Sequence, residues 1–310
     1  MPKKFLIVGT GGVGGSIAGF LALDGNDVSC IARGKHLDEI QRNGLHLKSD
    51  LKGEHYTPVK AYVEENYKDQ ADVIFVCVKQ YSLGSISDLL KRASHKGTII
   101  VPILNGFKIS NKLNYLYSET IVLDGCIYIV GFVSAPGEVT QMGRVFKLIF
   151  GKPKGVMVDN KILMELSEIL SHAGIKNEIS PCIEHTTFIK WSFISAMACT
   201  GAYFNATVGD YQQEGEKRDL FKALSSESLA IGVALGIIDA DEIDSYVAKH
   251  LNVIDHLAPD STASMQKDLA QDHTSEINGL LFEMVEYGKS LGISTPTYNR
   301  VSDKFKELQK

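Results

Sequence analysis

Apolar positions along this chain follow two rhythms, and the switch between them marks out its organisation. Lys4 to Val8 (KFLIV) is an apolar run of strand length. From Val13 the apolar residues Val13, Ile17, Phe20 and Leu21 recur at helical spacing, until Asp24-Gly25-Asn26 ends the pattern. Asp27 to Ala32 (DVSCIA) predicts a second strand, Lys35 to Asn43 a second helix, and Leu45 to Val59 a polar, hairpin-like excursion after a break at Gly44. Continuous apolar runs return at Ala71 to Val78 (ADVIFVCV) and Thr98 to Leu104 (TIIVPIL), separated by a helical segment, Ser82 to Ala93. Strands alternating with helices predict an α/β domain on a doubly wound parallel sheet, whose ligand crevice lies beyond the carboxyl ends of the strands.

Further along, Ile121 to Gly151 has β-branched runs about a Pro136-Gly137 turn and is expected to complete that sheet. Lys161 to His172 reads as an amphipathic helix closed by Gly174. Beyond Pro181 helical periods dominate, with no clear strand run. The expected division is therefore an N-terminal domain, 1–180, and an all-helical domain, 181–310, joined directly through a helix. A repeat or a Pro/Ser-rich linker is not evident.

Chemistry enters at the first turn. The strand Lys4–Val8 feeds into Gly9-Thr10-Gly11-Gly12-Val13-Gly14, and a helix begins at Val13. Glycine at these offsets lets the chain turn sharply at Gly9, lets backbone N–H groups approach a pyrophosphate at Gly11, and lets the helix pack closely on the strand at Gly14. The helix N-terminus then faces the phosphates, as in a Rossmann-like dinucleotide site. NAD-preferring sites carry Asp or Glu at the end of the second strand, whereas this chain has Arg33, with Lys35 nearby. A guanidinium suits a 2′-phosphate, which favours NADP; the alternative is a solvated arginine opening the Arg33-Gly34-Lys35 turn.

Lys79 and Asn105 stand at the carboxyl ends of the next two strands, where they would meet the cofactor or substrate. Either could instead be a turn residue, Asn105-Gly106 especially. Lys190 is the only cation in the mostly uncharged segment Cys182 to Phe204. Such a lysine either snorkels to water or is kept for chemistry.

Bulk composition narrows the partners. At 310 residues, with 44% hydrophobic and 22% charged, the chain is long enough for two ordinary globular domains. A net charge of −5 without a basic block favours neither nucleic acid nor an anionic membrane. Cys30, Cys77, Cys126, Cys182 and Cys199 are widely spaced, without metal-ligand spacing, and read as buried small hydrophobes in a reducing compartment, the cytoplasm. Lys3-Lys4 before an apolar segment superficially resembles a secretory signal, but the glycines interrupt it at cofactor-turn spacing. Neither a metal site nor a membrane span is expected.

These residues together resemble the ketopantoate reductase (2-dehydropantoate 2-reductase) family. The match covers most of the chain: Gly9 to Gly14, Ile31-Ala32-Arg33-Gly34-Lys35-His36-Leu37, Val78-Lys79, Leu104-Asn105-Gly106, Lys190, Ser264-Met265 with Asp268 and Glu276, and Gly292 to Thr297. The resemblance implies NADPH-dependent reduction of a 2-oxo acid to a 2-hydroxy acid, ketopantoate to pantoate in pantothenate biosynthesis. It also implies that Lys190 is the general acid, that Glu276 touches the cofactor and orients the lysine, that Ser264 and Asn105 meet the substrate, and that Lys79 and Asn105 hold NADPH. On the residues alone, the alternative for Glu276 is a surface carboxylate on an expected helix from Ser275 to Leu291.

Three departures bear on the substrate. Ile194 and Ala198 lie one and two helical turns after Lys190, and Ser261 lies three residues before Ser264, where the family's better-studied form carries asparagines. Losing donors there points to a related, more apolar 2-oxo acid as the alternative substrate. A catalytically inactive NADP-binding sensor is the alternative from another class. Ser264 and Glu276 in one regular helix would lie roughly 120° apart, so either the chain bends between them or they do different jobs. Oligomeric state is beyond the sequence; a homodimer through the helical domain is an expectation from base rates only.

Overall fold

The computed structural model describes residues 3–116 and 120–309. The chain divides into two compact units, Met1–Leu104 with Lys108–Thr186, and Asn105–Phe107 with Thr187–Lys310. In chain order the first contains β1 (Lys4–Val8), α1 (Gly12–Leu23), β2 (Asp27–Ile31), α2 (Gly34–Asn43), β3 (Leu45–Ser49), β4 (Gly53–Thr57) and β5 (Lys60–Tyr62). There follow β6 (Ala71–Val76), α3 (Ser87–Ala93), β7 (Ser94–Pro102), β8 (Ile121–Val122), β9 (Asp124–Ala135), β10 (Glu138–Gly151), α4 (Asn160–His172) and β11 (Lys176–Ile179). The strands β5-β2-β1-β6-β7-β8 form one sheet in that order, and every pairing in it is parallel. Burial on both faces explains its continuous apolar runs: Leu6, Val8, Ile74 and Val76 belong to one core cluster, Phe5, Ile7, Val73 and Phe75 to another.

The segment Ile121–Gly151 corrects the expectation that it completes this sheet. Only β8 joins it; β9 and β10 form a long antiparallel hairpin in a second sheet, where β10 also pairs in parallel with β3 and β11. The reason lies on α1. A Cβ at Gly12 would meet the Gly131 carbonyl at 2.1 Å, and one at Gly15 would meet Val139 at 2.5 Å. That smooth helix face admits a second layer, so Val139, Phe146, Leu148 and Phe150 of β10 share a core with α1. The polar strand β11 had no apolar signature. The segment Ser82–Ala93 is also less helical than expected, since a 3₁₀ turn spans Gln80–Ser82 and α3 starts at Ser87.

The helix α5 (Ile183–Phe204) leads from the first unit into the second. The remaining helices are α6 (Val208–Gln212), α7 (Glu216–Ala234), α8 (Ile243–His256), α9 (Ser264–Ala270), α10 (Glu283–Leu291) and α11 (Pro296–Phe305). Phe188, Trp191, Tyr211, Phe221 and Tyr298 fill their core. Glu227 of α7 accepts hydrogen bonds from the Thr297 and Tyr298 amides, at 2.8 and 3.0 Å, and so satisfies the start of α11. Among the described residues, no helix is long and apolar enough to cross a membrane.

The single helix expected from Ser275 to Leu291 is not regular. Residues Asn278–Phe282 form a π-helical turn before α10, and Asp272 (φ 53°) breaks the chain after α9. The bend removes the geometric conflict between Ser264 and Glu276, because the two residues do not share one helix.

Candidate functional site

In the first unit the glycine turn lies between β1 and α1. Gly9 has φ 99°, which L side chains rarely adopt, and a Cβ at Gly14 would meet the Gly9 carbonyl at 2.1 Å. At Gly11 the same Cβ would meet no atom of the protein within 4 Å. Open space at Gly11, beside a helix N-terminus, leaves room for a pyrophosphate, which the backbone of Gly11, Gly12 and Val13 could hold. Thr10 ties the turn to β2, its Oγ1 donating to the Ile31 carbonyl at 2.9 Å.

His36 is a supporting residue that sequence reasoning noted only as part of a motif. Its Nδ1 accepts from the Gly137 amide at 2.9 Å, which leaves Nε2 to donate to the Thr10 carbonyl at 2.9 Å. Burial lowers its pKa, so the ring stays neutral in this bridging role. Arg33 is the residue before α2, largely exposed, and its guanidinium pairs with the Glu64 carboxylate. Lys79 is half-buried at the start of the 3₁₀ turn that follows β6.

In the second unit Lys190 is only 9% exposed, so it does not snorkel to water. Its Nζ donates to Asn105 Oδ1 at 3.2 Å. Packing accounts for the meeting of residues so distant in sequence. Phe107 stacks on Trp191 with ring centroids 5.8 Å apart and meets Phe188 edge-on at 5.2 Å, which fastens the Asn105–Phe107 segment to α5 on either side of Lys190.

Glu276 is 4% exposed, which overturns its reading as a surface carboxylate. The turn that follows it is gripped by α5: Trp191 Nε1 donates to the Gly279 carbonyl at 2.8 Å, and Ser195 Oγ donates to the Leu280 carbonyl. Ser195 Oγ also shares a hydrogen bond of 2.7 Å with Tyr298. Trp191 is the chain's only tryptophan and adjoins the lysine, a signal that sequence reading could have used. Ser264 is exposed as the first residue of α9. Ile194 is half-buried and Ala198 buried, one and two turns beyond Lys190.

The cysteines divide. Burial pushes the Cys30 and Cys199 thiols up to about 12, whereas Cys182 is exposed, contrary to its expected burial.

A parallel sheet with a glycine turn at its first strand, and a buried lysine held by an asparagine in a helical unit, fit a nicotinamide-dependent oxidoreductase, the class to which the family comparison assigns the chain. Residues 5–155 match the family model for ketopantoate reductase PanE/ApbA, and residues 182–309 match that for its C-terminal part. The chain belongs to the ketopantoate reductase family. It is 29% identical over 324 residues to a 2-dehydropantoate 2-reductase of Mesorhizobium japonicum, covering 96% of this chain and 95% of that one. It is 27% identical over 300 residues to the uncharacterized oxidoreductase YkpB of Bacillus subtilis, covering 96% of both. Its fold is similar to that of a D-mandelate dehydrogenase solved with NADH and anilino(oxo)acetate, with a TM-score of 0.86 and 18% identity over 97% of this chain and 96% of that one.

Proposed function

We propose that the protein reduces a 2-oxo acid to a 2-hydroxy acid with NADPH, ketopantoate being the first substrate to test. The observation that carries this reading is the buried Lys190 ammonium held at Asn105. Reduced nicotinamide supplies a hydride to the ketone carbon when bound. Lys190 stabilises the charge that grows on the ketone oxygen and gives it a proton, while Asn105 Oδ1 aims the ammonium. Glu276 serves the cofactor side and helps orient the lysine; Ser264 and Asn105 meet the substrate. Arg33, with Lys35, would take the 2′-phosphate, and Lys79 another phosphate. In this reading the N-terminal domain, 1–180, binds the nucleotide and the helical domain, 181–310, takes the substrate.

A second reading, a more apolar 2-oxo acid, is favoured by Ile194 and Ala198, which give the face of α5 beyond Lys190 an apolar character. Loss of absorbance at 340 nm with NADPH and a panel of 2-oxo acids separates the two. Ketopantoate goes first, then bulkier apolar analogues. Tight NADPH binding without turnover of any member would remove the enzyme reading and leave a nucleotide sensor.

A further inference from the structure

We propose that Glu64 sets how strongly the protein prefers a 2′-phosphate to a 2′-hydroxyl on the adenosine ribose; this rests on the reading of Arg33 given above. The strands β2 and β5 are parallel neighbours in which Ile31 pairs with Tyr62. Two residues beyond that pair, past the end of each strand, lie Arg33 just before α2 and Glu64 at the start of a 3₁₀ turn, so both stand beyond the same carboxyl edge of the sheet. Their side chains form an ion pair.

Glu64 is not a wandering surface carboxylate. Its side chain is only 15% exposed against 69% for that of Arg33. Its main chain is pinned from α3, where the Arg92 guanidinium donates to the Glu64 carbonyl and, at 3.4 Å, to the Tyr67 carbonyl. The acid that NAD-preferring sites carry at the end of the second strand is missing here, and the turn after the neighbouring strand supplies one in its place.

The consequence is electrostatic. A 2′-phosphate reaches Arg33 only by sharing it with a carboxylate or displacing it, and like charges brought together oppose binding. A 2′-hydroxyl meets no such penalty and can donate to the same carboxylate. Arg33 therefore creates a preference for NADPH, and Glu64 erodes it.

The test measures dissociation constants of NADPH and NADH for the full chain, unmodified and with Glu64→Gln, Glu64→Asp or Arg33→Ala. Glu64→Gln should raise the ratio of NADH to NADPH dissociation constants about tenfold, mostly by tightening NADPH, since it removes the like charge and keeps the shape. Glu64→Asp keeps the charge and should leave the ratio within about threefold of the unmodified protein, a distinction that a merely structural role would not make. Arg33→Ala should lower the ratio. If both nucleotides bind the unmodified protein and Glu64→Gln leaves the ratio unchanged, the assignment of Glu64 falls while the nucleotide site stands. Failure of the unmodified protein to bind either nucleotide would remove the nucleotide site itself, and this role of Glu64 with it.

Discussion

The indole Nε1 of Trp191 donates to the carbonyl of Gly279 at 2.8 Å. Through that bond the residue next to Lys190 holds the π-helical turn that begins just after Glu276, so Lys190 and the buried carboxylate of Glu276 are tied to one piece of framework. Trp191→Phe keeps an aromatic ring but leaves a buried carbonyl without this donor. A loss of about 1 to 3 kcal/mol in unfolding free energy is expected, measured by urea denaturation. Turnover should fall as well if the framework orients the pair, and an unchanged kcat would separate stability from orientation.

Lys190→Ala should lower kcat by at least about a hundredfold while changing NADPH affinity little, because proton donation is lost and the nucleotide turn is untouched. Asn105→Ala removes the acceptor at 3.2 Å and should reduce turnover less severely, since the ammonium remains. Stopped-flow absorbance at 340 nm under single-turnover conditions reads both. A fully active Lys190→Ala protein would mean that another group supplies the proton.

The glycine turn offers a contrast between two alanines. In Gly14→Ala the new Cβ meets the Gly9 carbonyl at 2.1 Å, so a destabilisation of about 1 to 3 kcal/mol is expected, visible as a lower Tm. In Gly11→Ala the new methyl meets no protein atom within 4 Å, so Tm should hold. It occupies the space proposed for pyrophosphate, and NADPH affinity should drop about tenfold or more. Equal affinities for the unmodified and Gly11→Ala proteins would place the phosphates elsewhere.

His250 makes stability depend on pH. Its ring is buried between α7 and α8, bonded to Ser225 through Nδ1 at 2.7 Å and set edge-on to Phe193, and burial lowers its pKa to about 4. The unfolded chain, with a histidine near the ordinary 6.5, takes up a proton first as pH falls. Stability is thus fully present above about 6.5 and declines toward 4; the loss by pH 5 is about 2 kcal/mol from this residue. Urea titrations at pH 7.5 and pH 5 should show that decline in the unmodified protein and a smaller one in His250→Leu. Parallel curves for the two proteins would contradict it.

Local pattern was enough for much of this molecule. The apolar runs at Lys4–Val8, Ala71–Val78 and Thr98–Leu104 had to be strands of a buried parallel sheet, and the glycine spacing before Val13 had to be a tight turn into a helix, because both follow from the chemistry of neighbouring residues. Lys190 also stood out locally, as the lone cation in an apolar helix. The second sheet was hidden: β10 reads as an ordinary β-branched run, and its pairing with β3 and β11 depends on the smooth face that Gly12 and Gly15 give to α1. The bend at Asn278–Phe282 was hidden for the same reason, since its carbonyl partners come from α5, far away in sequence. The meetings of Lys190 with Asn105 and of Arg33 with Glu64 were likewise decided by packing and strand register, because a contact between residues remote along the chain exists only once the elements carrying them are fixed beside each other.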